Sequence, residues 1–411
     1  MSMASRVPEN RFPSDLPTDP RVLRPRRAAP ADAVRPTRAE VNLASLRHNL
    51  HVVKRAAKGA LVWPVLKADA YGHGAPAVAR TLARAGADGF CVALFEEAIE
   101  LRDAGITAPI LVMSGHYGTA HEDVLGRGLV PVIYERGQLE AFARASRTLG
   151  LSGPVPVHVK IDTGMARLGL SLDELVPFAT ALHDFPEIRV AGLMTHLACA
   201  DASTDDETTE QLRLFDEATA TLGRYGVRAD VRHAANSAAL LRGESSLDAV
   251  RPGIAIFGVS PRAEGAEAPF TNELRQVIRV RSEVVALRDL DAGKPVGYGA
   301  LFRTQRRSKI ATVPMGYADG LSRRLTNVGH RLVRGRRAPM VGAVSMDMTM
   351  IDVTDIPGAN LGDEVVVFGG QEGPLGKDFV GAEEVANHQG SIPWEVLTSI
   401  SRRVPRFYRE P

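Results

Sequence analysis

Reactive or anion-binding residues follow several of the short apolar segments of this sequence. Lys67 ends the apolar segment 61–66, and the turn Ala68-Asp69-Ala70-Tyr71-Gly72 comes directly after it. Between an apolar strand and a tight turn, desolvation can lower the pKa of an ammonium group and free its amine for imine formation. Two later segments end in His196 and in Ser237, and the last contains Arg251-Pro252-Gly253-Ile254. Hydroxyl groups and free backbone N–H groups at such a glycine turn can bind a phosphate.

Each of these residues also has an ordinary structural explanation. A lysine after a strand is usually a solvated boundary residue, and a histidine such as His196 is more often a satisfied core residue. Tyr71 can be core filling, and Arg251 can be a surface residue. Their combination is more specific, because pyridoxal phosphate needs a Schiff-base lysine, a phosphate site and a partner for its ring nitrogen. The set therefore predicts pyridoxal-phosphate chemistry at the α-carbon of an amino acid.

The elements that would position these residues alternate along the chain from residue 60 to about 258. Eight apolar segments are too short for helices and rich in Val, Ile and Leu, as buried parallel strands are. Stretches with helical spacing lie between them, including 74–87, 138–149, 172–183 and 206–225. This alternation predicts an α/β fold, a (β/α)8 barrel of the TIM type, with its chemistry at the carboxyl ends of the strands. The predicted strands are 61–66, 89–94, 109–113, 129–133, 155–161, 189–194, 230–234 and 249–256.

The pattern changes after about residue 273. Strand-like segments at 277–285, 309–314, 339–352 and 364–368 are separated by Gly, Pro and Asp, and helical periodicity returns only at 394–403. We therefore expect three parts: a disordered N-terminal extension at 1–36, the barrel at 37–270, and a mostly β C-terminal domain at 271–411. The extension is rich in Pro and Arg and has too few apolar residues to form a core.

Composition excludes several classes of protein. The net charge of +2 in 411 residues is unlike that of a nucleic-acid or anionic-membrane binder. No apolar stretch approaches the roughly 20 residues of a membrane helix, and no secretion signal is visible. Cys91 and Cys199 both lie in apolar runs, so we expect buried free thiols rather than a disulfide. The histidines show no metal-ligand spacing, and a cytoplasmic enzyme without a metal is expected.

Beyond these general features, the sequence resembles the alanine racemases from about residue 38 to residue 406. The segment 65–74 (VLKADAYGHG) looks like their cofactor-attachment signature. Further similar stretches are 160–169 (KIDTGMARLG), 192–196, 236–239 (NSAA), 251–254 (RPGI), 297–299 (GYG), 315–320 (MGYADG) and 345–347 (SMD). The resemblance implies a homodimer that interconverts L- and D-alanine through an external aldimine of pyridoxal phosphate and supplies D-alanine for peptidoglycan precursors.

The resemblance assigns the acid/base groups to two different subunits. Lys67 would bind the cofactor and act on one face of the substrate, and Tyr298 of the partner subunit on the other. Two groups are needed, because the proton leaves one face of a planar carbanion and returns to the other. Arg251 would donate to the pyridine nitrogen, and His196, linked to Arg251, would help to place positive charge near Tyr298.

The remaining roles concern binding. By resemblance, the cofactor phosphate would be held by Tyr71, Ser237 and the N–H groups of Gly253 and Ile254. Arg167 would bind the substrate carboxylate and the cofactor's phenol oxygen. The other implied roles are a pocket contribution across the dimer interface for Met346, a gate on the substrate corridor for Tyr317, and carbamylation for Lys160.

One position departs from the family pattern. Before the closing Arg-Val-Pro-Arg, alanine racemases usually carry a tyrosine followed by glutamate, and its hydroxyl reaches the cofactor phosphate. Trp394, followed by Glu395, occupies that position here. Indole has one N–H donor and no acceptor, so the phosphate contact and the shape of the small-side-chain pocket are both in question.

Three alternatives remain open. A serine or broader-specificity racemase on the same scaffold would carry the same motifs. A basic amino-acid decarboxylase of the barrel type would carry a glycine-triplet phosphate loop, whereas the longest glycine run in the β domain is Gly369-Gly370. A cofactor-binding protein without turnover would lack a β domain with a residue such as Tyr298.

Overall fold

A computed structural model describes residues 33–202, 206–243, 247–261 and 270–410. The expected disorder of the N-terminal extension falls on residues 1–32, which lie outside these ranges, and on residues 33–36, which lie inside them. Within the described residues the chain forms two main sheets, one parallel and one mostly antiparallel. The expected combination of a barrel with a mostly β domain is confirmed.

The first of these is an eight-stranded parallel sheet in the order β2-β9-β8-β7-β6-β5-β4-β3. A parallel bridge between Val65 and Cys91 joins its first and last strand segments and closes the curve. Its strands are β2 (Leu61–Val62), β3 (Phe90–Val92), β4 (Ile110–Val112), β5 (Val130–Ile133), β6 (Val155–Lys160), β7 (Ile188–Met194), β8 (Val231–His233) and β9 (Ala249–Val250).

Helices lie between these strands in the chain, and the four helices expected from periodicity are all present. One of the elements named below, α2, has a left-handed backbone at residues 68–71 and lies at the carboxyl ends of the strands. The helices are α1 (Leu43–Ala56), α2 (Lys67–Gly72), α3 (Ala75–Arg84), α4 (Phe95–Asp103), α5 (His121–Gly126), α6 (Arg136–Thr148), α7 (Leu175–Leu182), α8 (Asp206–Arg224) and α9 (Ser237–Arg242). Their buried faces repeat with helical spacing, as in α1, where Leu46, Leu50 and Val53 are all buried.

The eighth predicted strand was too long. β9 ends at Val250, and a 3-10 helix covers Ile254–Phe257. Pro252 has no N–H to donate to a neighbouring strand, and its carbonyl accepts from Val65. Arg251, Pro252 and Gly253 therefore leave the sheet as a loop over the carboxyl ends of the strands.

The second domain is built on a seven-stranded sheet in the order β16-β15-β18-β10-β1-β20, with β19 paired to β18. Two smaller sheets, β11-β14-β17 and β12-β13, flank it. The strands are β1 (Arg38–Asn42), β10 (Ile278–Glu283), β11 (Ala286–Leu290), β12 (Pro295–Val296), β13 (Phe302–Arg303), β14 (Ser308–Val313), β15 (His330–Val333), β16 (Arg336–Pro339), β17 (Thr349–Asp352), β18 (Glu364–Gly373), β19 (Gly376–Val380) and β20 (Arg406–Arg409).

Three details differ from the expectations. β1 falls in the range expected for the barrel, but it pairs with β10 and β20 of the second sheet. The strand expected over 339–352 is two strand ends joined by a loop, because Gly342 adopts a left-handed conformation with φ 77°. The C-terminal domain also has two helices, α10 (Ala382–Gln389), which was not expected, and α11 (Pro393–Ser399), which ends before the expected residue 403.

The two domains pack directly on each other through one contiguous apolar core. Gly72 of α2 lies so close to α11 that a Cβ there would be 2.5 Å from the carbonyl oxygen of Leu397. Its own carbonyl accepts a hydrogen bond of 2.9 Å from Arg406 Nε of β20. This contact brings α11 of the second domain to the mouth of the barrel.

Both cysteines are free thiols. Cys91 is buried, which raises its pKa to about 12, whereas Cys199 is only half-buried. Within the described ranges, no helix is both long and apolar enough to span a bilayer.

Candidate active site

A cavity of about 220 Å³ opens at the carboxyl ends of the barrel strands. All the residues predicted to bind the cofactor line it: Lys67, Tyr71, His196, Ser237, Arg251, Gly253, Ile254 and Trp394. They come from four barrel loops, which follow β2, β7, β8 and β9, and from one helix of the second domain. The strand-end pattern in the sequence thus corresponds to one cavity.

Lys67 opens a backbone segment of unusual conformation. The four residues after it, 68–71, have φ between 51° and 57°, the left-handed region that costs a residue with a Cβ about 1–2 kcal/mol. Glu97 stabilises the turn by accepting a hydrogen bond of 2.6 Å from Ala68 N. Desolvation, and then the positive charge of Arg167, lower the pKa of the Lys67 ammonium, against the opposing effect of Glu97. A larger share of its amine is therefore neutral and nucleophilic than in a free lysine.

Ser237 and the Arg251–Ile254 loop form a cradle of hydroxyl and amide groups. The Ser237 hydroxyl accepts hydrogen bonds from Gly253 N (2.8 Å) and Ala255 N (3.3 Å). Tyr71 packs so closely that a Cβ on Gly253 would be 2.3 Å from its hydroxyl oxygen, so a larger residue there would displace the buried tyrosine. Burial raises the pKa of Tyr71 and keeps its phenol protonated as a donor. These groups suit a phosphate.

Arg251 lines the cavity, and hydrogen bonds to three acceptors hold its guanidinium group in place. It donates to His233 Nδ1 (2.5 Å) and to the carbonyl oxygens of Thr195 (2.8 Å) and Ala234 (3.0 Å). Burial lowers its pKa to about 10, so the guanidinium keeps its proton near neutral pH. An arginine held in this way can donate to a ring nitrogen and does not readily give up a proton.

His196 does not have the charge expected of it. Burial, and then the positive charge of Arg251, lower its pKa to about 3, so the imidazole is neutral near pH 7. Its expected link to Arg251 is also different, because the Arg251 hydrogen bonds go to His233 and to backbone carbonyls. Positive charge beneath the cavity comes from arginine, not from His196.

Lys160 and Arg167 belong to one loop region next to the cavity. Asp162 accepts hydrogen bonds from the backbone N–H groups of Gly164, Met165 and Ala166 and so folds the loop that carries Arg167. Lys160 is buried, and desolvation, followed by the charge of Arg167, lowers its pKa to about 8. Two cations face each other here.

Three residues expected at a shared site lie apart from the cavity lining. Tyr298, Met346 and Tyr317 are 74%, 52% and 43% exposed on the second domain. The loops of Tyr317 and Met346 adjoin each other, since Tyr317 N donates to Ser345 O (2.9 Å) and Ala318 N to Met346 O (3.0 Å). The loop of Tyr298 reaches the same region, where a Cβ on Gly297 would be 3.3 Å from Ala343 N. Leu301 and Met348, which are close in sequence to Tyr298 and Met346, are also exposed and add apolar surface.

Several residues of the cavity were not predicted. Asn236 is the most instructive, because it caps α9 by accepting from Ala238 N (3.0 Å) and Ala239 N (3.1 Å) and thereby orients Ser237. An asparagine before a helix is a recognisable N-cap signal. The other missed lining residues, which have no comparable signal, are Val65, Met113, Met165, Leu197, Ala198, Asp201, Ala238 and Pro261. Among the described residues, no group of three or more His, Cys, Asp or Glu could hold a metal.

Comparison with known proteins agrees with this geometry. Residues 41–261 match the alanine racemase N-terminal domain, and residues 277–408 match the alanine racemase C-terminal domain. The chain belongs to the alanine racemase family. An alanine racemase of Sorangium cellulosum is 60% identical over 385 residues, which cover 92% of this chain and 100% of that protein.

Solved structures of this family have the same fold. The alanine racemase from Streptomyces coelicolor superposes with a TM-score of 0.84 at 35% identity, covering 92% of this chain and 99% of that one. The alanine racemase from Bartonella henselae, with covalently bound pyridoxal phosphate, superposes with a TM-score of 0.80 at 31% identity, covering 91% and 99%. As a member of this family, the protein is a pyridoxal-phosphate-dependent racemase.

The residues of the cavity fit that cofactor. Lys67 supplies an amine of lowered pKa, Ser237 and the Gly253 loop supply a phosphate cradle in which a Cβ on Gly253 would displace Tyr71, and Arg251 supplies a protonated donor.

Proposed function

We propose that the protein interconverts L-alanine and D-alanine, using Lys67 and Tyr298 of the partner subunit as its two acid/base groups. When bound, pyridoxal phosphate withdraws electrons from the amino acid and so acidifies the hydrogen on its α-carbon. Lys67 exchanges a proton with one face of that carbon through Nζ, and the Tyr298 phenol does so with the opposite face. Each turnover moves one proton off and one proton on, so the product is the mirror image of the substrate.

The cofactor roles proposed for the lining residues rest on their places in the cavity. Tyr71, Ser237 and the amides of Gly253 and Ile254 would hold the phosphate, and Arg251 would donate to the ring nitrogen. The Gly253 amide would exchange its hydrogen bond to the Ser237 hydroxyl for one to the phosphate. Because a guanidinium does not readily give up its proton, Arg251 would leave the ring nitrogen unprotonated. This role of Arg251 would favour return of the proton to the α-carbon over transamination.

The substrate would be oriented by charge. Arg167 is positioned by the Asp162 turn next to Lys67 and Lys160, and we assign it to the substrate carboxylate. Carbamylation of Lys160 would replace a cation by an anion, so that Lys160 and Arg167 attract each other instead of repelling. The pKa of about 8 supports this modification, because carbon dioxide reacts only with a neutral amine.

A shared active site in a homodimer is supported by the exposed face that carries Tyr298, Met346 and Tyr317. Tyr298 is 74% exposed in the single chain, so its phenol is in contact with water there. An acid/base group at the α-carbon needs surroundings that exclude water, and a second chain would supply them. Docking this face over the cavity of a second chain would bury its apolar side chains and bring Tyr298 opposite Lys67. Met346 would then line the partner's pocket, and Tyr317 would flank the substrate corridor.

The observation that carries the proposal is the cavity that brings Lys67, Ser237, Gly253 and Arg251 together. Lys67→Ala should remove the visible absorbance of the bound cofactor and abolish racemisation of alanine. If the variant keeps both colour and activity, the proposal is wrong.

The shared site has its own test. Neither Lys67→Ala nor Tyr298→Phe should be active alone, because each damages both sites of its homodimer. Subunit exchange between them makes mixed dimers with one intact and one doubly damaged site, so about a quarter of wild-type activity should return. No recovery after exchange has been demonstrated with tagged chains would contradict sharing.

We place the enzyme in the cytoplasm, where its two free cysteines would stay reduced.

The second candidate function is a serine or broader-specificity racemase with the same catalytic residues. The specific observation that favours it is Trp394, which lines the cavity.

A further inference from the structure

A group of four charged residues joins four separate segments of the chain, one before β1 and three in the second domain. It consists of Arg35, Asp319, Arg403 and Asp347, and we refer to it as the Asp319 node. Arg35 grips the Asp319 carboxylate with both terminal nitrogens, at 2.9 and 2.7 Å. Arg403 lies 3.4 Å from the same carboxylate through Nε and 2.7 Å from Asp347 through Nη2. The node therefore ties the loop 315–320 to the loop 345–348.

Asp319 is the centre of the node, and its side chain is completely buried. A buried carboxylate must be paired and hydrogen-bonded to avoid a large desolvation penalty. Besides its two arginines, it accepts a hydrogen bond of 3.0 Å from Gly316 N, and its backbone carbonyl accepts one of 3.1 Å from Ser401 N. This geometry leaves the loop 315–320 little freedom, since removing any partner leaves charge unmatched.

Close backbone contacts reinforce the two loops. A Cβ on Gly316 would be 2.3 Å from Ser345 O, and a Cβ on Gly320 would be 2.4 Å from Ser399 O. Tyr317 and Met346 project from these tightly held loops, and both are exposed in the single chain. Neither loop contributes a lining residue to the cavity that contains Lys67 in the same chain.

We propose that Arg403 is a positioning residue that acts in trans: through Asp319 and Asp347 it sets the placement of Tyr317 and Met346 in the active site of the other subunit. This inference rests on the proposed shared site. Arg35 anchors the node from the N-terminal side. A misplacement of about 1 Å in a catalytic constellation can reduce turnover about a hundredfold, so loss of the node should affect catalysis more than folding.

Arg403→Gln is the test variant, because it removes the charge and keeps most of the side-chain length. We expect kcat/KM for alanine to fall about tenfold to a hundredfold. Arg402→Gln is the matched control. It removes the same charge one position away, from a side chain that is also exposed, and activity should stay at the wild-type level. Thermal unfolding and the dimer mass, measured on both variants, separate misplacement from loss of structure.

Mixed dimers show whether Arg403 affects the active site that contains Lys67 of its own chain or the one that contains Lys67 of the partner chain. In a dimer of Lys67→Ala with Arg403→Gln, the site that keeps Lys67 receives its loops from the chain with an intact node, so that site should work normally. In a dimer of the double variant Lys67→Ala/Arg403→Gln with wild type, the site that keeps Lys67 receives loops from the damaged chain. It should show the same deficit as the Arg403→Gln homodimer.

The opposite pattern, with the deficit in the first mixed dimer, would show that Arg403 acts within its own chain and would overturn the proposal. Equal, undiminished activity of both mixed dimers would also overturn it. A dimer of Lys67→Ala with wild type, at half the wild-type activity, is the reference for both mixed dimers. If Lys67→Ala homodimers are active, the proposed function fails independently of the node. If Arg403→Gln does not dimerise, Asp347→Asn replaces it in the same mixed dimers. This variant removes the ion pair between Arg403 and the exposed Asp347 and leaves the buried Asp319 with both arginines.

Discussion

The guanidinium of Arg251 donates a hydrogen bond of 2.5 Å to Nδ1 of His233 beneath the active-site cavity. Because Nδ1 accepts, His233 must carry its proton on Nε2, and that proton points to Nδ1 of His158 at 2.8 Å. Both imidazoles are buried, with pKa values lowered first by desolvation and then by Arg251. A chain of neutral acceptors thus holds a charged donor in place, and the direction of every hydrogen bond in it is fixed.

His233→Leu should therefore be costly, since it leaves a buried guanidinium nitrogen without its acceptor. We expect the free energy of unfolding to fall by about 1.5–3 kcal/mol from this loss, in addition to the packing change. His158→Leu is the comparison variant, because it leaves the Arg251 contact intact and deprives only a neutral donor, His233 Nε2–H, of its acceptor, so its cost should be smaller. Urea denaturation of both variants measures the difference. A loss for His233→Leu no larger than that for His158→Leu would refute this account of Arg251.

Buried neutral histidines also predict how stability depends on pH. The pKa values of His73, His158 and His196 are lowered to about 4, 3 and 3, mainly by burial. In the unfolded chain each imidazole binds a proton near pH 6.5. Between about pH 6.5 and 4 the unfolded state therefore holds more protons than the folded state, and stability must fall as the pH falls. Each such histidine contributes up to about 1.4 kcal/mol per pH unit, and nothing above pH 7.

The measurement is the free energy of unfolding across pH 4 to 7.5, approximate limits chosen to bracket the histidine range. His158→Gln should make the slope shallower by about one proton. His51→Gln, at an exposed position on α1, should leave it unchanged. If the free energy of unfolding depends on pH equally in wild type and His158→Gln, His158 does not contribute to the loss of stability at low pH.

The sequence predicted those parts of the site that depend on local backbone chemistry. Lys67 precedes a glycine turn, and Arg251 precedes Pro-Gly. These local patterns are enough to place both residues at strand ends, without knowledge of contacts to distant segments. The partners of these residues depend on side-chain packing across distant segments. Nothing local indicates that His233, rather than His196, accepts from Arg251. Arg35 and Asp319 are 284 positions apart, and their pairing follows only from the route of the chain into the second sheet.

The same distinction holds for the fold. The eight parallel strands were predictable because short apolar runs between amphipathic helices repeat regularly. The place of β1 was not predictable. Its five-residue sequence does not indicate whether the strand belongs to the barrel or, as the structure shows, pairs with β10 and β20 in the second sheet. The helix α10 was missed because a single short helix among strands shows too few turns for its periodicity to be visible.

Lys160 should bind carbon dioxide as a carbamate. With a pKa of about 8, roughly one Lys160 side chain in ten is neutral at pH 7, and the fraction rises with pH. Protein equilibrated with 13C-labelled bicarbonate should therefore show a bound carbamate carbon by NMR, and Lys160→Met should abolish the signal. The variant should also lose activity, because Arg167 loses its anionic partner. An unmodified ammonium in wild type under these conditions would contradict the assignment.

Trp394 is brought to the cavity by α11, where the close packing of Gly72 against Leu397 fixes the distance between the two domains. Its indole has one N–H donor at the side of a wide ring system, where the family usually places a phenol. If that donor does not reach the phosphate, one hydrogen bond to a charged group is lost, of order 1.5–3 kcal/mol unless water replaces it. The wide ring also occupies space that a substrate side chain would use.

Trp394→Tyr should therefore tighten cofactor binding, by about tenfold for the lower end of that range, and should change the ratio of kcat/KM for alanine to that for serine. Trp394→Phe is the matched control, because it has a ring of nearly the same size as tyrosine and no donor. Cofactor affinity, measured by titrating apoenzyme, should improve with tyrosine and not with phenylalanine if the phosphate contact is the cause. A substrate ratio that changes equally in both variants would assign the specificity to ring width alone. If neither affinity nor the substrate ratio moves beyond error in Trp394→Tyr, the indole only replaces the phenol in packing, and the serine-racemase alternative loses the observation that favours it.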